Sequence, residues 1–114
     1  MYPVSEEHFD NLVDDAIDKI PQNFLDQLGN VAIQVQPAHP ENPYLLGLYE
    51  GVPLTERSAN HWGFPDVITL YSQNLCMISN SEAELVENIR VTLLHEVGHF
   101  FGLDEDDLER LGYQ

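Results

Sequence analysis

The sequence predicts an α+β fold. Three observations lead there. Apolar residues recur at helical spacing over residues 5–20, the period drops to two in stretches between residues 31 and 71, and helical spacing returns from Ser81 onward. Helical ends enclosing a strand-rich middle make a sheet with helices packed on it. A chain of 114 residues accommodates one domain, spanning 1–114.

The first helix rests on Phe9, Leu12, Val13, Ala16, Ile17 and Ile20, one continuous stripe at i, i+3, i+4, i+7, i+8 and i+11. Ser5 is its N-cap, and Glu6 and Glu7 sit in the first turn, where the helix dipole favours anions. Pro21 ends it. His8, on the polar side, is expected to be solvated. A shorter helix follows, with Phe24, Leu25 and Leu28 inward and Gly29 terminating it.

The period then becomes two. Val31, Ile33 and Val35 alternate with Ala32, Gln34 and Gln36, the pattern of a half-buried strand. Pro37, Pro40 and Pro43 mark a loop that also carries His39 and Asn42. Leu45 to Tyr49 reads as a second strand, closed by Gly51 and Pro53. Residues 54–66 are polar and irregular apart from Trp62 and Phe64. Val67 to Tyr71 is a strong third strand and Leu75 to Ile78 a weaker fourth.

Ser81-x-x-Glu84 is a capping-box signature that opens a helix over about residues 82–101. On a wheel of about 100° per residue, Val86, Ile89, Leu93, Leu94, Val97, Phe100 and Phe101 cover one broad side. Glu84, Asn88, Thr92, His95 and His99 form a narrow polar strip, with Glu96 at the edge between the two. Gly98 removes bulk inside the helix, at a propensity cost that suggests something approaches closely there. Gly102 suits a left-handed helix end that turns Asp104 and Glu105 back toward the histidines. Asp104-x-x-Asp107 then starts a short last helix, with Leu108 and Leu111 inward and Gly112 near its end.

The chemistry concentrates in His95-Glu96-Val97-Gly98-His99. Residues four apart on a helix are neighbours, so both imidazoles can reach one zinc ion, and a carboxylate beside the first can act on water held there. Core histidines would lie on the apolar side. These lie on the polar strip, which places them at a cleft, with Asn88 and Thr92 on the same strip as groups that could hydrogen-bond them. His39 and His61 lie in loops from which they could approach the site, but loop histidines are ordinarily solvated, and that is the expectation for both.

Composition narrows the partners. Twenty acidic residues against four basic ones give a net charge of −16. Such a surface repels nucleic acid and anionic membrane, and favours cations or basic peptides and proteins. No apolar run reaches the ~18 residues of a membrane span. The acidic start Met1 to Glu7 lacks the apolar stretch of a signal peptide. Cys76 has no cysteine partner within the chain, which suits a reducing compartment, and it reads as a small buried hydrophobe. A cytoplasmic location is the expectation.

The stretch from His95 to Glu105 resembles the zincin metallopeptidases, whose extended motif is His-Glu-x-x-His-x-x-Gly-x-x-(His or Asp). More closely, the chain is similar to the minimal zincin-like bacterial metallopeptidases. That similarity runs over Leu46 to Pro53, Ile68 to Tyr71 and His95 to Tyr113. The resemblance implies an α/β zincin-like fold in which a small mixed sheet packs against the active-site helix. It also implies zinc bound by His95, His99 and the position three after Gly102, with Glu96 as the general base. That third position is Glu105, where the family has His or Asp, and the adjacent Asp104 competes for the role. No methionine follows the motif, and Met77 lies upstream. Tyr113 is the one downstream residue similar to a transition-state stabiliser. The implied function is a zinc metallopeptidase acting on a peptide or protein. The alternative is a catalytically silent, zinc-stabilised acidic module that binds a basic protein.

Overall fold

The structure, a computed structural model, describes residues 1–51 and 66–111. Pro53, His61, Trp62, Phe64, Gly112 and Tyr113 lie outside the described residues, as does the side chain of Leu111.

Helix α1 spans Glu6–Asp18, and the Ser5 hydroxyl accepts the His8 N–H at 3.1 Å to cap it. Phe9, Leu12, Val13 and Ala16 are buried, as the stripe predicts. The helix stops before Ile20, where Lys19 and Ile20 N–H turn back to Ala16 and Ile17, but Ile20 still reaches the core. Helix α2 spans Gln22–Leu28 and buries Leu28, with Phe24 and Leu25 half-buried beside it.

Three strands form one mixed sheet in the order β1-β3-β2. Strand β1 (Val31–Gln36) runs parallel to β3 (Asp66–Tyr71), from Val31 opposite Asp66 to Gln36 opposite Tyr71. Strand β2 (Gly47–Glu50) runs antiparallel on the other side, from Gly47 opposite Leu70 to Glu50 opposite Val67. The central position of β3 explains its near-continuous apolar run: Ile68, Thr69, Leu70 and Tyr71 are all buried. Strand β1, at an edge, keeps the alternation read from its sequence.

Two expectations about the strands are corrected. The second strand begins at Gly47 and not Leu45: its partner strand ends at Tyr71, whose N–H donates to the Leu46 carbonyl at 3.0 Å, and the Leu45 carbonyl accepts the Asn74 side-chain amide at 2.7 Å. The fourth strand does not form. Residues Ser72–Met77 are helix α3. Leu75 and Cys76 point in while Met77 and Ile78 point out, a pairwise pattern that belongs to a helix. A short apolar run reads alike in either state.

Helix α4 spans Glu82–Phe100, and the Ser81 hydroxyl accepts the Glu84 N–H at 3.1 Å, forming that half of the capping box. It packs on α1 and on strands β2 and β3. His8 is not simply solvated. Its Nε2 lies 2.5 Å from a Glu82 carboxylate oxygen, joining the first turns of α1 and α4. Among the described residues no helix is long and apolar enough to cross a membrane. Helix α5 spans Glu105–Leu111.

Candidate metal centre

The last turns of α4, the turn after it and the start of α5 build the centre. Gly102 adopts φ +87°, the left-handed conformation that its lack of a Cβ permits. Its N–H reaches the His99 carbonyl at 2.9 Å and the Leu103 N–H reaches the Gly98 carbonyl at 3.0 Å. This pair of bonds is a Schellman motif, and it satisfies the open carbonyls of the helix end while reversing the chain. Asp104 then caps α5: its Oδ1 accepts the Asp107 N–H at 2.8 Å, and Asp107 Oδ2 accepts the Asp104 N–H at 3.1 Å. A side chain committed to that exchange leaves the adjacent Glu105 to face the histidines.

The close approach implied by Gly98 is made by Leu108. A Cβ at position 98 would overlap Leu108 Cδ2. Leu108 is fully buried, so α5 seats on α4 through this contact and carries Glu105 into place.

Three donor atoms converge. His95 Nε2 and His99 Nε2 lie 3.2 Å apart, and Glu105 Oε1 lies 3.2 Å from the first and 2.8 Å from the second. His99 Nδ1 donates to the Leu103 carbonyl at 2.9 Å, since a carbonyl can only accept. That bond directs the Nε2 lone pair of His99 to the same point as the carboxylate. Lone pairs meeting in this way need a cation between them, either a proton or a metal ion. A set of two imidazole nitrogens and a carboxylate oxygen is one that zinc accepts.

Glu96 differs from Glu105 in every respect. Its residue is 5% exposed, while the Glu105 side chain is 72% exposed. Its Oε1 accepts the Tyr49 N–H at 3.2 Å, which ties it to β2. Burial pushes its carboxyl above the ordinary range, against the opposing pull of His99 and His95. For Glu105 desolvation is the largest single effect, but its bonds and attraction to His95 and His99 together outweigh it, and its carboxyl falls below the ordinary range. Donor atoms of His95, Glu96 and His99 also lie within 4.8 Å of one another, so Glu96 is within reach of an ion held by the histidines.

From Asn88 to His99 the polar strip is a wall of this cleft and is half-buried or buried, while Glu84 is exposed and does not line it. Thr92 is buried, and His95 and His99 side chains are 21% and 24% exposed. The hydrogen bonds of Asn88 and Thr92 run elsewhere than to the imidazoles. The Asn88 amide donates to Ser79 Oγ at 2.8 Å, and the Thr92 hydroxyl donates to the Asn88 carbonyl at 2.8 Å. Both residues line the cleft of about 580 Å³ that holds the histidines, opposite Gly47, Leu48 and Tyr49 of β2. His39 does not line it. Its Nδ1 accepts the Glu41 and Asn42 N–H groups at 3.0 Å, and its ring packs edge-on against Tyr71. Cys76 is buried in the core, and desolvation raises its thiol above the ordinary value.

Two positioning residues escaped the sequence reading. Gly47 lets β2 approach α4, because a Cβ there would stand 2.7 Å from Thr92 Cγ2 and 3.4 Å from Glu96 Cγ. Tyr49 supplies the N–H for Glu96, and its hydroxyl donates to the buried Asp66 at 3.0 Å, which pins β2 on β3. A glycine inside a strand is itself a signal of close backbone approach and marks the first of them.

Comparison with known proteins places the chain in a family. Residues 28–113 match the family model described as zincin-like metallopeptidase. No curated protein matches. Among solved structures, a conserved hypothetical protein from Thermo thermophilus is similar, at 25% identity and a TM-score of 0.55. The alignment covers 95% of this chain and 97% of that one.

Proposed function

Because the chain belongs to the zincin-like metallopeptidase family, we propose that it is a zinc-dependent peptidase using His95, His99 and Glu105 as ligands and Glu96 as general base. The convergence of three donor atoms beside a buried, separately held carboxylate carries this reading. Zinc bound there would lower the pKa of a coordinated water toward ~7 and polarise a substrate carbonyl.

The protein's own groups do the rest. The Leu103 carbonyl holds the tautomer and plane of His99. The Tyr49 N–H holds Glu96 at the edge of the ion site, where the carboxylate takes a proton from the attacking water and returns it to the leaving amine. A carboxyl raised by burial is a stronger base than an exposed one, which suits that exchange. Among the described residues the outer edge of β2 pairs with no strand and faces the same cleft, where an extended peptide can add as a strand through the backbone groups that Glu96 does not take. The surface charge of −16 favours substrates with basic segments, and the reducing location expected for a chain with a single cysteine is the cytoplasm.

One observation favours a second reading. Glu96 is near enough to the histidines to be a fourth protein ligand. Four protein ligands make a closed shell, and a closed shell is structural, not catalytic. The chain would then be a zinc-stabilised module. Glu96→Gln separates the two readings. The peptidase reading expects zinc affinity retained and hydrolysis of a peptide library lost. A large fall in zinc affinity, with no hydrolysis by the parent protein, assigns Glu96 to the shell and overturns the peptidase reading.

A further inference from the structure

Strand β1 is the other edge of the sheet, separated from β2 by β3. Among the described residues no strand pairs with its outer side. Open edges are ordinarily blunted by lysine, proline or a bulge. Val31-Ala32-Ile33-Gln34-Val35-Gln36 carries no charge and no proline, and its register with β3 runs unbroken. It is a strong, unprotected strand former in a chain that is otherwise densely charged.

An apolar groove runs beside this edge. Val13 and Ile17 of α1 meet Ile33 and Val35 of β1 in its floor. Past Val35 it opens into a hollow of about 410 Å³ between the start of α1 and α3. Glu6, Asp10 and Asp14 stand along the groove at steps of four on α1, all exposed. Among the described residues these three have no ion-pair partner. Like charges at that spacing oppose the helix that carries them.

We propose that the outer edge of β1 docks an extended, basic segment of another protein as a fourth strand. The edge and the groove make the site, and the carboxylates select the occupant. Backbone groups of β1 supply hydrogen bonds, and every second side chain of the added strand faces α1. A Lys or Arg at those positions lays its stem on Ile33 and Val35 and carries its charge to Asp10 and Asp14. A second copy of this chain fits poorly. Pairing β1 with β1 about a twofold normal to the sheet would set Asp10 and Asp14 against their counterparts in a chain of charge −16. The site is independent of the metal centre, which lies at the opposite edge.

The probe is a fluorescent peptide of alternating Lys and Val, titrated into the full chain at low and high salt, with amide shifts followed by NMR. Binding should move the amides of Val31–Gln36 and weaken with salt. The Asp10→Asn/Asp14→Asn double variant should bind about tenfold more weakly at low salt. The same peptide N-methylated at alternate nitrogens cannot pair as a strand and should also lose about tenfold or more. EDTA and Glu96→Gln should leave binding unchanged, so failure of the peptidase reading would not remove this site. Equal binding of the N-methylated peptide would reduce the effect to diffuse charge attraction. Shifts at Gly47–Glu50 in place of β1 would move the docking to the metal-site edge. A dimer of the chain alone that protects the β1 amides would give the edge to a second copy. Each of these three results overturns the proposal.

Discussion

Gly98→Ala separates helix propensity from tertiary packing. Gly98 lies inside α4, and a bare helix would gain about 0.8–1 kcal/mol from alanine there. In this fold the added Cβ overlaps Leu108 Cδ2 and stands 3.4 Å from its Cγ and 3.5 Å from its Cδ1. Leu108 is fully buried, so it has no solvent to rotate into. Overpacking of this kind costs about 1–3 kcal/mol. The propensity gain offsets part of it and leaves a net loss of about 1 kcal/mol, which lowers the Tm of a domain this size by roughly 4 °C. The assay is thermal unfolding of the metal-free chain followed by circular dichroism. Leu108→Ala alone should cost about 2–5 kcal/mol, as for a buried leucine. Adding Gly98→Ala to it meets no clash, so the double variant should be the more stable of the two by about 1 kcal/mol. If Gly98→Ala raises the Tm by itself and the two substitutions simply add, α5 is not seated on Gly98 and the reasoning fails.

Other outcomes follow from the centre itself. Burial raises the Glu96 carboxyl, so the folded chain holds that proton more tightly than the unfolded one. The contribution of Glu96 to stability is therefore present below the ordinary value of 4.5 and is lost as pH rises through the raised folded value. The Tm advantage of metal-free Glu96→Gln over the parent protein should grow with pH across that window, and a constant difference would show that burial does not act on Glu96. Glu105→Gln should lower zinc affinity, read by competition with a chelator, by more than the ~10–100-fold that loss of a supporting group costs. Asp104→Asn should leave affinity within a few-fold, because asparagine caps a helix as well as aspartate does. The opposite ranking would make Asp104 the third ligand.

What was legible in the sequence is what depends on local chemistry. The stripe from Phe9 to Ala16, the caps at Ser5 and Ser81 and the alternation in Val31–Gln36 each follow from a few neighbouring residues. Gly102 and the Asp104-x-x-Asp107 cap also act within a turn or two, and with the Leu108 contact on Gly98 they bring Glu105 to the histidines. What escaped is set by distant partners. Nothing near His8 announces Glu82, 74 positions away. Nothing near Tyr49 announces Glu96. The strip containing Asn88 and Thr92 is polar in composition, but β2 packs against it, and the Asn88 amide bonds Ser79 while the Thr92 hydroxyl bonds the Asn88 backbone carbonyl, so these two bonds do not go to the imidazoles. Leu75–Ile78 carried no periodic signal, and its helix became visible only through which residues the core had buried.

The donor atoms and the buried carboxylate are assembled over different lengths of chain. His95 and Glu105 are ten positions apart and meet through one helix end. Glu96 acquires its burial and its backbone donor from Tyr49, 47 positions upstream, and only once the sheet is paired. The β1–β3 pairing itself closes a span of 35 positions, as from Gln34 to Thr69. Short-range assembly is fast and persists in partly folded states, whereas long-range pairing carries the loop-closure cost and is lost first. A partly unfolded molecule would therefore keep a chelating hairpin of helices after its buried carboxylate had returned to water. Retention of a metal bound there would for that reason be a poor gauge of native structure, and the state of Glu96 a good one.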